Sequence, residues 1–175
     1  QLGACSPSSP QLRRAQVEGI GLESAAAVAE LGSGSGTTTK DILKLIPAGC
    51  KFFACELNDI LANDFRRRMP SVTLYQDDAM KIRSFCASEG IEALDNVVTS
   101  LPWLLFPPEF QIALLREIHR SLRPGGKFTM LTYRYPGLPG VNRFRGYMRQ
   151  VFSEVKLHKY VPINIPPASV YLCTK

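Results

Sequence analysis

The chain has 175 residues, which gives room for one domain that buries a core without disulfide staples. Hydrophobic residues make up 45% and charged residues 21%, with 13 Gly and 13 Pro, and this composition excludes a disordered chain, a collagen-like repeat and a coiled coil. Lys and Arg outnumber Asp and Glu by 21 to 15, so the net charge of +6 favours phosphate-rich or anionic partners.

The five cysteines are irregularly spaced and include no C-x-x-C pair. This pattern disfavours a disulfide framework and a zinc site, so we expect no metal and a reducing compartment, the cytoplasm. No apolar run reaches the roughly 18 residues of a membrane-spanning helix. Glu30, Pro102 and Pro107 interrupt the longest runs. The first residues do not form a basic-then-apolar signal sequence.

Hydrophobic patterning predicts alternating strands and helices along most of the chain. A short basic helix begins after Ser9, because Pro10 suits a first helical turn. The elements that follow are strand 25–31, helix 37–46, strand 51–56, helix 59–69, strands 72–75 and 94–99, helix 109–122 and strand 127–133. Regular alternation of this kind implies a mostly parallel sheet with right-handed crossovers and helices on both faces.

The C-terminal part departs from this alternation. Residues 154–161 and 169–174 both have strand patterning, and prolines rather than a helix separate them, which predicts an antiparallel hairpin. The stretch 134–159 carries a clear excess of Lys and Arg over its single acid, Glu154, either as a solvated face or as the border of a site. We expect one domain with three segments: a helical start (1–24), a cofactor-binding core (25–133) and a basic segment with the hairpin (134–175).

A glycine-rich loop, ELGSGSG at 30–36, lies between the first predicted strand and the next helix. Glycines there let the backbone pass close under a ligand, and the following helix offers unpaired N–H groups. A phosphate-binding P-loop needs Gly immediately before Lys, whereas Lys40 follows Thr39, so nucleoside triphosphate binding is disfavoured. The spacing also differs from the dinucleotide fingerprint. A tight turn without a ligand remains the alternative.

Acidic side chains follow the next two strands. Glu56 comes 24 positions after Gly32, where a carboxylate can accept hydrogen bonds from both hydroxyls of a ribose. Asp77 and Asp78 follow the third strand, where an acid can accept a bond from an adenine amino group. The competing roles are an exposed acid near a helix start and ordinary turn chemistry. Together with the glycine loop, these acids mark three strand ends that face one crevice.

Four stretches in chain order resemble the successive motifs of class I S-adenosylmethionine-dependent methyltransferases: 30–36, Glu56, Asp77-Asp78-Ala79, and LRPGG at 122–126. The resemblance implies a Rossmann-like α/β fold with a mostly parallel seven-stranded sheet and a C-terminal antiparallel hairpin. It implies that S-adenosylmethionine is held at its amino-acid end by the glycine loop, at its ribose by Glu56 and at its adenine by Asp78. The candidate cofactor-binding residues are Glu30, Gly32, Ser33, Gly34, Gly36, Glu56, Leu57, Asp77, Asp78, Ala79, Thr99 and Leu101.

Three further stretches are similar to the bacterial phospholipid N-methyltransferase family: GACSPSS at 3–9, TSLP at 99–102 and NIPPASVY at 164–171. This resemblance implies methyl transfer to the amine of phosphatidylethanolamine and its methylated derivatives, ending at phosphatidylcholine. It also implies peripheral association with an anionic membrane surface. Members usually begin with an amphipathic membrane-binding helix, of which this sequence carries at most the last turn. Asp77 and Trp103 depart from the common residues at their positions.

Methyl transfer is an in-line displacement that needs an aligned, neutral amine in a site shielded from water. A desolvated site lined by aromatic and carbonyl groups lowers the amine pKa, and cation–π contact tolerates the growing methylammonium. The candidate catalytic residues are Tyr133, Thr99 and Ser100, the last two bordering the methyl group. The candidate substrate-binding residues are Ser8, Ser9, Tyr133, Arg134, Arg143 and Asn164. Competing roles are hairpin packing for Tyr133, solvation for the arginines and turn formation for Asn164.

Three alternatives stay open. An RNA or DNA adenine N6-methyltransferase would stack a flipped base on Trp103, although the amide that such loops use is absent at Thr99 and Ser100; we therefore do not expect a nucleic-acid partner. An ornithine-lipid N-methyltransferase would share the chemistry with a different acceptor. A binding module without activity is the third. Phe144 and Tyr147 either contact a membrane or pack in the core, and the oligomeric state is not predicted.

Overall fold

The computed structural model describes residues 9–133, 140–164 and 166–175. Its seven strands form one sheet in the order β3-β2-β1-β4-β5-β7-β6. The strands are β1 (Ala27–Leu31), β2 (Lys51–Cys55), β3 (Thr73–Tyr75), β4 (Leu94–Thr99), β5 (Leu122–Tyr133), β6 (Glu154–Val161) and β7 (Ala168–Thr174). The first five pair in parallel, while β7 is antiparallel to both β5 and β6. The predicted fold class and terminal hairpin are confirmed.

Within the described ranges, six α-helices cover the two faces of this sheet. They are α1 (Pro10–Val17), α2 (Thr37–Leu43), α3 (Asp59–Arg68), α4 (Ile82–Ser88), α5 (Pro108–Ser121) and α6 (Val141–Val151). Side chains alternate between the faces, so Phe53 packs in the core under α4, α5 and α6, whereas Ala54 packs against Phe65 of α3. Helices α1, α2 and α3 therefore cover one face, called the α1 face, and α4, α5 and α6 cover the other.

Two helices were not among the predicted elements. Helix α4 buries three residues at helical spacing, Ile82, Phe85 and Cys86. Helix α6 buries Phe144 and Met148, which are also one helical turn apart. Both helices are short, and the many Lys and Arg residues around α6 make its apolar periodicity hard to recognise in the sequence. Most other boundaries differ by one or two residues; α2 ends three residues earlier than predicted.

The predicted turn at 123–126 lies inside strand β5. Leu94 of β4 pairs with Leu122, but Asn96 already pairs with Lys127, so the extra residues form a bulge. Gly125 adopts a φ of 72° there, and a Cβ on Gly126 would lie 2.8 Å from the Arg123 carbonyl oxygen. The Pro-Gly-Gly sequence therefore makes a kink without ending the strand.

Trp103 lies at the centre of the core rather than at the surface. Its side chain is 1% exposed, and its ring stands 5.2 Å from the ring of Phe144, centroid to centroid. Phe144 is equally buried, and Tyr147 is half-buried against the same cluster. Core packing of Phe144 is thus confirmed, and the alternative interpretation, that Phe144 contacts a membrane, is wrong. No helix within the described ranges is both long and apolar enough to cross a membrane.

Helix α1 packs over β5, β6 and β7, where Leu12 and Ala15 share a cluster with apolar residues of all three strands. Ser9, a predicted substrate residue, caps this helix, since its Oγ accepts from Leu12 N at 3.2 Å. Arg13 Nε donates to Asp41 of α2 at 2.9 Å, and the backbone oxygen of Glu18 lies 2.9 Å from His158 Nε2 on β6. Contacts at both ends hold α1 between α2 and the hairpin.

Candidate active site

Backbone hydrogen bonds join the carboxyl ends of three neighbouring strands. Gly32 N and Ser33 N both donate to Cys55 O, at 2.8 and 3.1 Å, so the glycine loop is attached to the end of β2. Ser100 N donates to Leu31 O at 3.1 Å, which attaches the end of β4 to β1. The predicted crevice therefore lies where β1, β2 and β4 end side by side.

The glycines of the loop have different roles. Gly32 has φ 77°, and a Cβ there would lie 2.7 Å from Leu101 Cδ2. Gly36 has φ 85° and lies against α3, where a Cβ would be 3.0 Å from Met69 Sδ. Gly34 also has a positive φ, but among the described residues no atom beyond its chain neighbours lies within 4 Å of its Cβ position. Gly32 and Gly36 allow close packing, while Gly34 leaves room for a ligand.

Glu56 links the glycine loop to the start of α3. One carboxylate oxygen accepts from Gly34 N at 2.8 Å and the other from Asn58 N at 2.9 Å. A carboxylate has about four acceptor positions, so both oxygens retain capacity for the two hydroxyls of a ribose. Leu57 follows directly with 68% of its surface exposed, an apolar side chain beside this polar site. The backbone bonds hold the acid at the rim in one orientation.

Glu30 is fully buried beneath the loop. Thr39 donates its hydroxyl to Glu30 Oε2 at 2.5 Å, and Oε1 has no partner among the described residues. Burial, assisted by the neighbouring Glu56 charge, raises the pKa of Glu30 to about 8 although the Thr39 hydrogen bond opposes this shift. An unsatisfied carboxyl oxygen in such a place suits a ligand that donates a hydrogen bond or carries positive charge.

The two acids after β3 make local contacts. Asp78 Oδ1 accepts from Met80 N at 2.8 Å, which caps a 3-10 turn that begins at Ala79. Asp77 pairs with Lys81 at 2.8 Å, and this partner lowers the Asp77 pKa. Ala79 packs against the edge of the core. The turn role of Asp78 is therefore present, and its adenine contact stays a prediction.

The residues after β4 divide between the core and the rim. Thr99 is buried, and its hydroxyl accepts from Trp103 Nε1 at 2.8 Å. The prediction that its side chain borders the crevice is therefore wrong. The reason is strand alternation, which turns Thr99 toward α5 and Ser100 toward the α1 face. Ser100 Oγ is buried and has no partner in the described part of the chain. Leu101 packs over Gly32.

The other predicted substrate residues that the structure describes lie on β5, on α6 and in the β6–β7 turn. Tyr133 pairs with Ala168 at the end of β5 and is half-buried against the cluster that includes Leu12 and Ala15 of α1. Asn164 is buried in the β6–β7 turn, where its Nδ2 donates to Pro166 O at 2.7 Å, so it forms the turn. Arg143 is exposed at the start of α6.

Two predicted substrate residues, Ser8 and Arg134, lie outside the described residues. Ser9 caps α1, as described above.

One buried polar side chain at the site was not predicted from the sequence. Gln16 of α1 is fully buried, and its Nε2 donates to Thr99 O at 2.5 Å. Its position in the sequence could have indicated this role, because a polar residue among the apolar positions of a short helix needs a buried hydrogen-bond partner.

Comparison with known proteins agrees with this geometry. A family model described as a methyltransferase domain matches residues 28–126. The chain is 33% identical over 98% of its length to an ornithine lipid N-methyltransferase of Singulisphaera acidiphila, covering 88% of that protein. The chain belongs to the class I S-adenosylmethionine-dependent methyltransferases. Its predicted cofactor, S-adenosylmethionine, is confirmed at the level of the family.

Solved structures of methyltransferases share the fold. A precorrin-6y C5,15-methyltransferase from Geobacter metallireducens superposes with a TM-score of 0.73 at 14% identity, over 94% of this chain and 89% of that one. An O-methyltransferase from Bacillus cereus in complex with S-adenosylhomocysteine gives a TM-score of 0.72 at 14% identity, over 95% and 82%. At these identities the likeness concerns the fold alone.

The residues at the rim of this methyltransferase fit its cofactor. The open space at Gly34, the oriented Glu56 carboxylate and the unsatisfied Glu30 Oε1 suit a ligand with both an amino-acid end and a ribose. When bound, S-adenosylmethionine supplies a methyl group activated by its sulfonium. The methyl acceptor is then expected near Ser100, because the end of β4 is bonded to Leu31 directly before the glycine loop, and the end of β5 lies beside it.

Proposed function

We propose that this methyltransferase N-methylates the amine of a lipid headgroup. The observation that carries the proposal is the 33% identity to a lipid N-methyltransferase over nearly the whole chain. Such similarity spans the hairpin as well as the cofactor half, so it includes the segments that border the acceptor. The sequence motifs at 99–102 and 164–171 point to the same class of substrate.

The chain's own residues would prepare the amine for transfer. A lipid ammonium must lose its proton before it can accept a methyl group, and removal from water favours the neutral form. Tyr133, half-buried at the end of β5, offers an aromatic surface beside the crevice. Arg143 is exposed on α6 and would pair with the lipid phosphate or carboxylate, and we assign the same role to Arg134.

The membrane contact is proposed at the hairpin edge, defined here as Lys156, Leu157, Lys159, Tyr160 and Ile163. Leu157 pairs with Tyr171 and Tyr160 pairs with Ser169 on β7. A register shift between these pairs lets Leu157 and Tyr160 face the same side of β6. Leu157 and Ile163 are 54% and 69% exposed. Lys156 and Lys159 are exposed on the other side of the same edge strand. An edge with apolar side chains on one side and lysines on the other suits an anionic bilayer, where the lysines meet lipid phosphates and the apolar groups enter the interface.

The hairpin edge is also close to the crevice. Val161 pairs with Ala168, which pairs with Tyr133, so the β6–β7 turn with Ile163 lies at the same edge of the sheet as the end of β5. A bilayer touching this turn presents headgroups near Tyr133. Lipid acceptors therefore fit the arrangement better than acceptors that approach from solution.

The nucleic-acid alternative loses its main support. A base-stacking platform must be exposed, whereas Trp103 is 1% exposed and donates its indole N–H to Thr99. Rotating Trp103 outward would break this bond and empty the centre of the core. Adenine N6 methylation is therefore not favoured by the residues after β4.

The test is a methylation assay on defined vesicles with labelled S-adenosylmethionine. Phosphatidylethanolamine and ornithine lipid are offered separately in phosphatidylglycerol vesicles, and the products are separated by chromatography. Phosphatidylethanolamine follows from the sequence motifs, and ornithine lipid from the name of the relative. Label in either lipid supports the proposal and identifies the acceptor. Label in transfer or ribosomal RNA but in neither lipid would contradict it.

A further inference from the structure

A buried carboxamide on α1 presents an unsatisfied oxygen at the candidate active site. Gln16 is 0% exposed, and its Nε2 donates to Thr99 O at 2.5 Å. A carbonyl oxygen can only accept, so this bond fixes which end of the amide points at Thr99. Gln16 Oε1 is left without a hydrogen-bond partner among the described residues. Burial of an unpaired carbonyl oxygen is unfavourable unless a ligand supplies the missing donor.

The position of this oxygen is set by the strand ends. Thr99 is the last residue of β4, and the next residue, Ser100, has a buried Oγ that also lacks a partner in the described ranges. Ser100 N in turn donates to Leu31 O, directly before the glycine loop. The amide of Gln16 is therefore placed beside Ser100 and at the entrance of the loop.

Unsatisfied buried atoms are concentrated in this place. Seven such side-chain atoms occur among the described residues, and four belong to segments that meet here: Gln16 Oε1, Glu30 Oε1, Ser33 Oγ and Ser100 Oγ. All four can accept hydrogen bonds. A nitrogen with several N–H groups, and above all a positively charged one, is the complementary ligand.

We propose that Gln16 Oε1 and Ser100 Oγ together accept hydrogen bonds from an amine or ammonium nitrogen bound at the rim. Two groups have this chemistry: the α-ammonium of the cofactor and the amine that receives the methyl group. The second source rests on the function proposed above, whereas the first requires only cofactor binding. Gln16 thereby makes α1 part of the site, through a side chain that also holds the end of β4.

The chain contains a matched control for the Gln16 substitution. Gln111 of α5 is likewise buried and donates Nε2 to backbone oxygens of Trp103 and Phe106 at 2.7 and 3.0 Å. Its Oε1 has no hydrogen-bond partner in the part of the chain that the structure describes. It lies on the opposite face of the sheet from α1. Gln16→Met and Gln111→Met therefore remove the same kind of buried amide, and only the first removes an acceptor at the rim.

Calorimetry with two ligands tests the cofactor as the source. S-adenosylhomocysteine carries the α-amino acid group, and 5′-methylthioadenosine lacks it. If the ammonium is bound here, Gln16→Met weakens S-adenosylhomocysteine about 10- to 100-fold and leaves methylthioadenosine unchanged. Ser100→Ala has a smaller effect in the same direction, and Gln111→Met matches the wild type. A merely structural role for Gln16 would weaken both ligands equally.

Steady-state kinetics test the acceptor as the source. In that case Gln16→Met leaves the affinity for S-adenosylhomocysteine unchanged and raises the KM for the lipid amine about tenfold. The inference is overturned if Gln16→Met and Ser100→Ala both leave the affinity for S-adenosylhomocysteine unchanged and also leave the KM for the lipid unchanged. It is likewise overturned if that affinity is unchanged and no lipid is methylated. Equal weakening of both calorimetric ligands overturns it too. Failure of the proposed function is a separate result, seen as absence of lipid methylation by the wild type.

Discussion

The two halves of the sheet's carboxyl edge are organised differently. At β1, β2 and β3, polar side chains are held by backbone groups: Glu56 accepts from Gly34 and Asn58, and Asp78 from Met80. At β5, β7 and β6, the exposed groups are lysines and apolar side chains around a turn. The first half is oriented before a ligand arrives, as binding of one defined small molecule requires. The second half suits a deformable surface.

The largest expected effect concerns Glu30, in the cofactor half. The raised pKa means that the folded protein keeps a proton that the unfolded chain releases. The contribution of Glu30 to the free energy of unfolding is therefore largest below the ordinary carboxyl pKa of 4.5 and falls as the pH rises to about 8, by about 1.4 kcal/mol per pH unit. Urea unfolding at closely spaced pH values measures this slope.

Glu30→Gln is expected to remove most of the slope, because an amide does not titrate. Thr39→Val is the companion variant, since loss of its hydrogen bond to the carboxyl should raise the Glu30 pKa further and extend the slope to higher pH. A slope that is equal in the wild type and in Glu30→Gln would show that another group causes it.

The next effect separates close packing from ligand space within the glycine loop. Gly32→Ala should lower the free energy of unfolding by about 2–3 kcal/mol, since it combines an unfavourable φ with a contact at Leu101. Gly34→Ala should cost about 1 kcal/mol and instead weaken S-adenosylhomocysteine, because its methyl group enters open space. Thermal unfolding and calorimetry on the same samples compare the two. Equal stability losses with equal affinities would contradict this division.

Glu56→Ala should weaken S-adenosylhomocysteine by about 1.5–3 kcal/mol, through loss of hydrogen bonds to a charged group. The variant also frees Gly34 N and Asn58 N, so stability is measured in parallel. Glu89→Ala is a suitable control, since this acid also accepts a hydrogen bond, from Tyr75, away from the crevice. An unchanged affinity in Glu56→Ala would show that the ribose is held elsewhere.

The smallest expected effect lies in the hairpin half. Lys159→Gln should reduce binding to phosphatidylglycerol vesicles about fivefold while leaving S-adenosylhomocysteine affinity unchanged. Lys44→Gln, at the end of α2 and away from the hairpin edge, is the control. Sedimentation with vesicles of increasing anionic content measures both. If the two variants bind vesicles alike, the hairpin edge is not the membrane contact.

Much of the cofactor half was predictable because its signals are local. Glycines at fixed spacing after a strand, and acids at the ends of the next strands, must meet at one edge once the strands are parallel. Ser9, Asp78 and Asn164 show the limit of this reasoning. Each has a polar side chain suited to a ligand, and in the structure each caps a helix or shapes a turn, because the nearest partners of such side chains are local backbone groups.

Pattern and spacing along the chain thus determined the alternation of elements, the antiparallel hairpin and the family, since these depend on hydrophobic period and short motifs. Only tertiary structure decided that Trp103 and Phe144 fill the core, that Thr99 turns inward, and that Gln16 lies beside Ser100. The physical reason is that burial and unsatisfied hydrogen-bonding groups arise from packing between segments far apart in the chain, which a linear pattern does not encode.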